Sequence, residues 1–298
     1  MSRMRRAALW GPAVGVVAVA ALLGLRPKGA SAEETDGAAR NERCNIRLAI
    51  ALTGNGPSAA QLAAPDPMAQ LDGLLASEQF RDRYAGFINA SFNQVQGPSA
   101  LADAPYWVAR HVLEKGLPWK QVFVGPFDLA EDTQGKVTVT DKPTGLGYFH
   151  VDAWMQKHAG NEGEGIRLRT AARMISDSVG MKVQAVQAVP GQEQSAKGRE
   201  AAACRGCHFD SWFALDKVAS VLSRRVLTAG TIRFGEPPAR SAVVLDGVTV
   251  KDDREILNAL VSSEQFLVEQ CRLAFTFLYG RPENSCEGAP LDQCIDAL

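Results

Sequence analysis

The sequence predicts a mainly α-helical protein of two helical domains with one short β-hairpin. Apolar residues recur at three- and four-residue spacing along several segments, which is typical of helices that bury one face. The hairpin is predicted at residues 243–250, where two β-branched runs flank Asp246-Gly247, a favoured two-residue turn. A break at Gly145-Leu146-Gly147 interrupts the helical pattern, so we expect domains at residues 33–145 and 146–298.

Residues 1–32 have the features of a secretory signal. A basic start is followed by an apolar run from Ala7 to Leu25 and by Ala30-Ser31-Ala32, a small-residue cleavage site. The apolar run is also close to the length that spans a bilayer, so an uncleaved membrane anchor is the alternative. We expect a periplasmic or otherwise exported protein with no integral membrane segment after cleavage.

In the first domain, the polar residues 33–43 are expected to form a loose leader ahead of a helical pattern that begins at Ile46. Ser77 is the predicted N-cap of a second helix. A third helix is predicted from Pro105 to Glu114, and residues 136–140 have the composition of a short strand.

In the second domain, helices are predicted at residues 164–179, around residues 204–208, and from Ser263 to Tyr279 with Gly280 after the last turn. Residues 261–266 repeat the pattern of residues 75–80. This echo indicates either a duplicated helix or two well-capped helices that converged on the same start.

Residues 204–208 read Cys-Arg-Gly-Cys-His, the attachment motif of a c-type haem. In this motif the thiols of Cys204 and Cys207 form thioethers with one porphyrin, and the imidazole of His208 is the proximal ligand of the iron. The sequence therefore predicts one covalently bound haem c. A two-haem peroxidase is excluded for a single chain, because the motif occurs once.

A distal iron ligand from His or Met must precede the motif, because neither residue type follows His208. Met181 is the preferred candidate, since it follows Gly180 in a predicted loop from which a thioether can reach the iron. His158 is the second candidate, and Met174 and His150 come after it. A five-coordinate iron is the alternative.

The four other cysteines are expected to form two disulfides in an oxidising compartment. Cys286 and Cys294 flank a short polar segment and are the pair that closes most easily. Cys44 would then pair with Cys271. Because Cys271 lies in an apolar stretch, a buried free thiol is the alternative there.

The charge of the chain argues against nucleic acid as a partner. Of its 32 basic and 33 acidic residues, five basic and no acidic residues lie in residues 1–32, so the remainder has a net charge of about −6. A basic surface for nucleic acid is not expected. A mildly acidic carrier that docks on a positively charged redox partner is compatible with this charge.

Short strings on both sides of the motif resemble planctomycete-type cytochrome c proteins, which have relatives in myxobacteria. The strings are Leu52-Thr53-Gly54 with Pro57, residues 74–80, Asp210, Ala214-Leu215-Asp216, Asp246-Gly247, residues 263–266 and Leu278-Tyr279-Gly280-Arg281. The chain departs from that pattern at Ser211, where proline is usual, and at Trp212-Phe213, which replace a smaller stretch containing glycine. The resemblance implies a periplasmic monohaem protein with a cytochrome c-like domain after a helical domain, and it implies no particular substrate.

These observations favour an electron carrier without catalytic residues, which exchanges electrons with a redox partner protein. The first alternative is a haem enzyme or small-ligand sensor with an open distal site, in which His158 or His150 would act as acid and base. The second is a partner-docking module in which the haem is accessory.

Overall fold

The computed structural model describes residues 36–93, 99–159, 167–183, 193, 195–229, 231–245, 247–284 and 286–298. This part of the chain contains 14 α-helices and three separate two-stranded antiparallel sheets. The mainly helical class is thus confirmed. The predicted signal at residues 1–32 lies outside the described residues.

The helices are α1 Asp36–Thr53, α2 Ala59–Leu62, α3 Leu71–Leu75, α4 Glu78–Asn93, α5 Ala104–Lys115, α6 Gln121–Val124, α7 Asp152–Lys157, α8 Leu168–Val179, α9 Ala196–Arg199, α10 Ala202–Arg205, α11 Leu215–Val221, α12 Asp253–Val261, α13 Glu264–Tyr279 and α14 Gly288–Ala297. The strands are β1 Phe127–Glu131, β2 Val137–Asp141, β3 Arg225–Thr228, β4 Thr231–Phe234, β5 Ala242–Val244 and β6 Val248–Val250. Among the described residues, no helix is long and apolar enough to cross a membrane.

Serine caps begin two of the predicted helices, and both are confirmed. Ser77 Oγ accepts a hydrogen bond from the Phe80 amide at the start of α4, and Ser263 Oγ accepts one from the Phe266 amide at the start of α13, each at 3.2 Å. Each hydroxyl also donates to a carbonyl three residues earlier. The repeated sequence pattern therefore corresponds to a repeated cap.

Two expectations about the β-structure and the leader need correction. The strands are not confined to one hairpin: β1–β2 and β3–β4 are two further antiparallel pairs. The predicted hairpin is present as β5–β6, but Val244 pairs with Val248, so three residues separate the strands instead of two. The polar leader is also helical from Asp36, because α1 continues without a break into its buried residues Leu48 and Leu52.

The chain forms two compact units that do not follow the predicted division at residue 145. The first contains the described residues up to Phe87 with Val112–Trp119 and Cys271–Leu298, and the second contains Ile88–His111 and Lys120–Gln270. The glycines at the predicted boundary form a tightly packed turn inside the second unit. A Cβ on Gly145 would lie 2.3 Å from the carbonyl oxygen of Phe127. Close backbone packing therefore accounts for this glycine, and a linker does not.

The core of the first unit is apolar and rich in aromatic rings. Its buried cluster contains Leu48, Leu52, Leu71, Leu74, Phe80 and Phe277. The ring of Tyr84 packs edge-on against Phe277, with centroids 4.9 Å apart, and lies 5.4 Å from the ring of Trp119. Helices α4 and α13, which are distant in sequence, are thus joined by several ring contacts.

The disulfide of the first unit joins Cys271 in α13 to Cys294 in α14. The predicted pairs Cys286–Cys294 and Cys44–Cys271 are therefore wrong. Cys271 and Cys294 are both buried against Phe275, whereas Cys44 and Cys286 are exposed free thiols. The pairing follows from the faces on which α13 and α14 pack, which spacing along the chain does not reveal.

The second unit has a core of interlocking aromatic side chains. Phe123, Tyr148, Phe149 and Trp154 lie in contact, and the ring of Phe266 packs edge-on against Phe123 at 5.1 Å. Met174 and Ile175 of helix α8 are fully buried, and Asp177 of the same helix accepts a hydrogen bond from the Tyr148 hydroxyl of this core at 3.0 Å. The segment that carries the cysteine motif belongs to this unit.

Candidate haem-attachment site

The Cys-x-x-Cys-His motif spans two turns of different helical geometry. Cys204 lies in the last turn of α10, and Cys207 and His208 lie in a π-helical turn at Gly206–Asp210. The Ser211 amide closes that turn with a 2.8 Å hydrogen bond to the Gly206 carbonyl. Single π turns are frequent at functional sites because they redirect side chains without ending a helix.

Both cysteines of the motif carry free thiols that are accessible from solvent. Cys204 is half-buried and Cys207 is exposed. A Cβ on Gly206, which lies between them, would meet no atom within 4 Å. The thiols are therefore available for covalent attachment to a ligand, and no side chain covers the backbone between them.

The imidazole of His208 is held through one of its two nitrogens. Nδ1 lies 2.7 Å from Asp216 Oδ2, and 23% of the side chain is exposed. Nδ1 carries the proton in this pair, because a carboxylate only accepts. Nε2 makes no hydrogen bond to any residue that the structure describes, so its lone pair is available to a metal ion.

Asp216 is fixed in turn by a guanidinium group. Arg199 in α9 donates to both carboxylate oxygens of Asp216, from Nη2 to Oδ1 at 2.8 Å and from Nε to Oδ2 at 3.0 Å. A two-pronged pair of this kind fixes the plane of the carboxylate as well as its position. Both side chains are largely withdrawn from solvent, with 12% of Arg199 and 6% of Asp216 exposed.

The backbone turn before α11 brings Asp216 into contact with His208, which lies eight residues earlier in the sequence. Ala214 adopts a left-handed conformation, with φ 30° and ψ 71°, and its amide donates to the Ser211 side chain at 3.0 Å. A residue with a Cβ pays about 1–2 kcal/mol for this conformation. The chain thus accepts local strain where it reverses direction to place α11 beside the motif.

The hydrogen bonds around Asp216 keep its carboxylate ionised. Burial alone raises the pKa of Asp216, but the hydrogen bonds from His208 and Arg199, together with the positive charge of Arg199, outweigh it and leave the pKa below its ordinary value. The group facing His208 is therefore an anion at neutral pH. Another carboxylate near the motif, that of Asp210, instead forms an exposed pair with Arg205, at 2.9 Å.

Three aromatic residues follow the motif and are not absorbed into the core. Phe209 and Phe213 are half-buried, and Trp212 has 38% of its surface exposed. Trp212 and Phe213 pack edge to face with ring centroids 5.5 Å apart. The Leu245 amide donates to the Trp212 carbonyl at 2.7 Å, so the β5–β6 hairpin holds this segment in place.

His158, the second distal candidate, lies in the core of the second unit. Only 2% of the residue is exposed, its ring lies 4.5 Å from that of Trp154, and Nε2 lies 3.4 Å from Asn93 Oδ1. Burial, reinforced by nearby cationic side chains, lowers the pKa of His158 to about 3. The imidazole is neutral, and its surroundings are those of a core residue.

The other distal candidates differ in what already surrounds them. His150 has Nδ1 3.3 Å from the Thr144 carbonyl and Nε2 3.5 Å from Asp253, and Met174 is fully buried in α8. Met181 is half-buried in irregular chain after Gly180, whose φ of 71° ends α8. No hydrogen bond or ring contact joins His208 to any of the four candidates within the described part of the chain.

The sequence did not reveal the two residues that position His208, Asp216 by direct contact and Arg199 through Asp216. Asp216 entered only as part of a string that resembles a family, and Arg199 was not singled out. Neither has a fixed sequence offset from a haem motif, because their positions depend on the turn at Ala214 and on the short helix α9. The only local signal was the early acidic residue of α11, which is also the ordinary signature of a helix start.

No family model, no curated protein and no solved structure matches the chain.

Proposed function

We propose that the protein is an exported monohaem c-type cytochrome that transfers electrons. Cys204 and Cys207 are the covalent anchors of the haem, and His208 is the proximal ligand of its iron. The observation that carries the proposal is the state of these side chains: two free thiols at the required spacing, followed by an imidazole that keeps Nε2 unengaged.

The residues of the motif fit the group that the proposal requires. A thioether needs a thiol that is reduced and reachable, which holds for Cys204 and Cys207. An axial imidazole needs its second nitrogen engaged by an acceptor so that the tautomer is fixed, which holds for His208 with Asp216. A zinc site of the Cys-x-x-Cys type would need a second pair of ligands near the first, and no group of three or more such residues is found among those described.

When bound, the haem supplies a one-electron iron couple. The chain's own residues attach it, orient the axial imidazole and exclude water. Phe209, Trp212 and Phe213 are placed to cover apolar surface next to the motif, since they follow it directly and remain partly exposed. Exclusion of water lowers the local dielectric, which is one of the ways a protein sets the potential of an iron centre.

Met181 is the distal ligand in this proposal. It lies in irregular chain, where a thioether can be redirected without loss of helical hydrogen bonds. His158 and His150 would first have to leave their present surroundings, and Met174 would have to leave the core. The proposal also includes a cytochrome c-like arrangement of the haem domain, kinship with the planctomycete-type proteins, export through residues 1–32, and a redox partner protein.

The decisive experiment is expression with export and haem-attachment machinery, followed by denaturing electrophoresis and an alkaline pyridine spectrum. We expect one haem per chain that stays attached after denaturation. The Cys204→Ala/Cys207→Ala variant should lose it, whereas the matched control Cys44→Ala/Cys286→Ala, which removes the two other free thiols, should keep it. A wild-type chain without covalent haem, or equal loss in both variants, would sink the proposal.

Carbon monoxide then separates an electron carrier from an open-site protein. A low-spin ferrous spectrum that does not change with carbon monoxide means two firm axial ligands and supports electron transfer. Met181→Ala should convert it to a form that binds carbon monoxide, whereas Met174→Leu, a substitution in the core of α8, should not. Ready binding by the wild-type chain would contradict the carrier and favour the enzyme or sensor.

A further inference from the structure

In the second unit, His208, Asp216 and Arg199 form a chain of hydrogen bonds whose effect on the iron the proposed function does not use. It joins α9, the π turn and α11, and it contains a carboxylate withdrawn from solvent beside the imidazole of the motif. A buried carboxylate is costly unless it is paired, and one guanidinium pairs it here. Pairing with Arg199 alone would satisfy the charge, so the additional short contact to His208 calls for its own explanation.

We propose that Asp216 is a positioning residue that, through its hydrogen bond to Nδ1 of His208, makes the imidazole a stronger electron donor and lowers the reduction potential of the iron. This inference rests on the proposed function, because it concerns the ligand of the proposed haem. Arg199 is the second positioning residue. It fixes the carboxylate so that the oxygen nearest the imidazole is held at 2.7 Å from Nδ1.

The physical reason lies in the charge of the acceptor. An imidazole whose N–H donates to a neutral acceptor, such as a carbonyl or water, shares its proton only weakly. One whose N–H points at a carboxylate shares that proton more fully, so its other nitrogen carries more negative charge and is a more basic ligand. A more basic ligand stabilises ferric iron more than ferrous iron, because ferric iron carries one more positive charge. The potential therefore falls.

Burial makes this effect larger than it would be at the surface. Only 6% of the Asp216 side chain is exposed, so water screens its charge poorly. Asp210, two residues after His208, offers a natural comparison. It is also a carboxylate paired with an arginine, but 52% of each side chain is exposed, and among the described residues no hydrogen bond or ion pair joins it to the imidazole.

The first test is potentiometric titration of the holoprotein, followed by its visible spectrum. Asp216→Asn keeps the size and an accepting oxygen but removes the charge. We expect the equilibrium constant for reduction to rise at least tenfold, which is about 59 mV for one electron. The matched control Asp210→Asn removes the same charge from the exposed pair and should shift the constant less than threefold. Equal shifts in the two variants would mean general electrostatics and would overturn the proposal.

A second variant covers the case in which Asp216→Asn leaves Arg199 uncompensated and the chain fails to fold. Arg199→Gln/Asp216→Asn removes both charges, so the net charge near the iron is unchanged. A rise in potential in this variant therefore reports the loss of the carboxylate–imidazole contact. A potential of the double variant equal to that of the wild type would overturn the proposal, and the proposed function would still stand.

Nitrogen NMR of the chain without haem gives an independent readout. In ¹⁵N-labelled protein, we expect the neutral form of the His208 imidazole to carry its proton on Nδ1, and Asp216→Asn to lose that preference. An Nε2-protonated imidazole in the wild type would contradict the positioning role directly. If the wild-type chain never carries haem, the proposed function and the effect on potential fall together, whereas the tautomer still tests whether Asp216 orients His208.

Discussion

Burial sets the charge of individual side chains in the second unit, and His158 is the extreme case. Its ring is enclosed by Trp154 and by Asn93, and the cationic side chains Arg173 and Arg169 add to the cost of protonating it. The pKa of His158 is therefore lowered from 6.5 to about 3. In the unfolded chain His158 binds a proton as the pH falls through 6.5, whereas in the folded chain it binds one only near pH 3. Stability linked to His158 is thus complete above pH 6.5 and is lost as the pH falls towards 3.

His158→Gln tests this linkage. The wild-type protein should lose stability relative to the variant by about 2 kcal/mol between roughly pH 7 and pH 5, because only the wild type gains a proton on unfolding in that range. The measurement is urea unfolding followed by circular dichroism at both pH values. The other ionisable groups titrate alike in the two proteins, so their contributions cancel in the difference between the two free energies of unfolding. A difference that stays constant with pH would show that His158 binds its proton equally well in the folded and the unfolded chain, and would contradict the lowered pKa.

At the scale of helices, the disulfide fixes how α13 and α14 pack. Cys271 and Cys294 are separated by 23 residues and are almost completely buried with Phe275. Closing a loop of that length lowers the entropy of the unfolded chain and corresponds to about 3 kcal/mol of stability. Cys286 lies between the two helices in sequence, but it is exposed and unpaired.

Cys271→Ala/Cys294→Ala should therefore lower the free energy of unfolding by about 3 kcal/mol, measured by urea denaturation without reductant. Cys286→Ala is the matched control and should change it by less than about 0.5 kcal/mol, as for other surface positions. Peptide mapping without reduction should recover Cys271 linked to Cys294. A large loss of stability in Cys286→Ala, or a peptide that links Cys286 to Cys294, would contradict the observed pairing.

Elements whose causes lie in neighbouring residues can be predicted from the sequence, whereas pairings set by tertiary packing cannot. The helices that begin after Ser77 and Ser263 are recognisable because a cap involves residues three apart. The hairpin of β5 and β6 is recognisable for the same reason, although its loop is one residue longer than predicted. Helix α12 and the strands β3 and β4 were not predicted, although their causes are local: Asp252 caps α12, and β3 pairs with the neighbouring strand β4. The disulfide pairing was predicted wrongly because its two cysteines lie on separate helices, and spacing along the chain does not reveal which helix faces pack together.

At the scale of the whole molecule, the motif can be read from adjacent residues, whereas its surroundings depend on tertiary contacts. Cys204, Cys207 and His208 are adjacent in sequence, so their chemistry is legible without a structure. Asp216 reaches His208 only because the turn at Ala214 reverses the chain, and Arg199 reaches Asp216 from another helix. Both compact units are assembled from separated segments, which no boundary drawn at a single residue describes.

The second unit contains a buried cluster of charged and polar side chains around Asp253. Its carboxylate accepts hydrogen bonds from the amide and hydroxyl of Ser223, at 2.7 and 2.8 Å, and contacts Arg167 at 3.2 Å and His150 at 3.5 Å. Burial raises the pKa of Asp253, but the contact with His150 and the charge of Arg167 outweigh it and lower the pKa to about 2. Its contribution to stability is therefore present above about pH 4 and is lost as the pH falls towards 2.

Asp253→Ala should lower the free energy of unfolding at neutral pH by about 3–5 kcal/mol, because it leaves the fully buried guanidinium of Arg167 without a counter-charge. The neighbouring carboxylate gives a matched control. Asp252 caps α12 by accepting from the Glu255 amide at 2.8 Å, so Asp252→Ala should cost only about 1 kcal/mol. Urea unfolding by circular dichroism measures both. Equal losses would mean that Asp253 serves only the start of α12, whereas the larger loss means that one carboxylate holds four separated segments of the unit together.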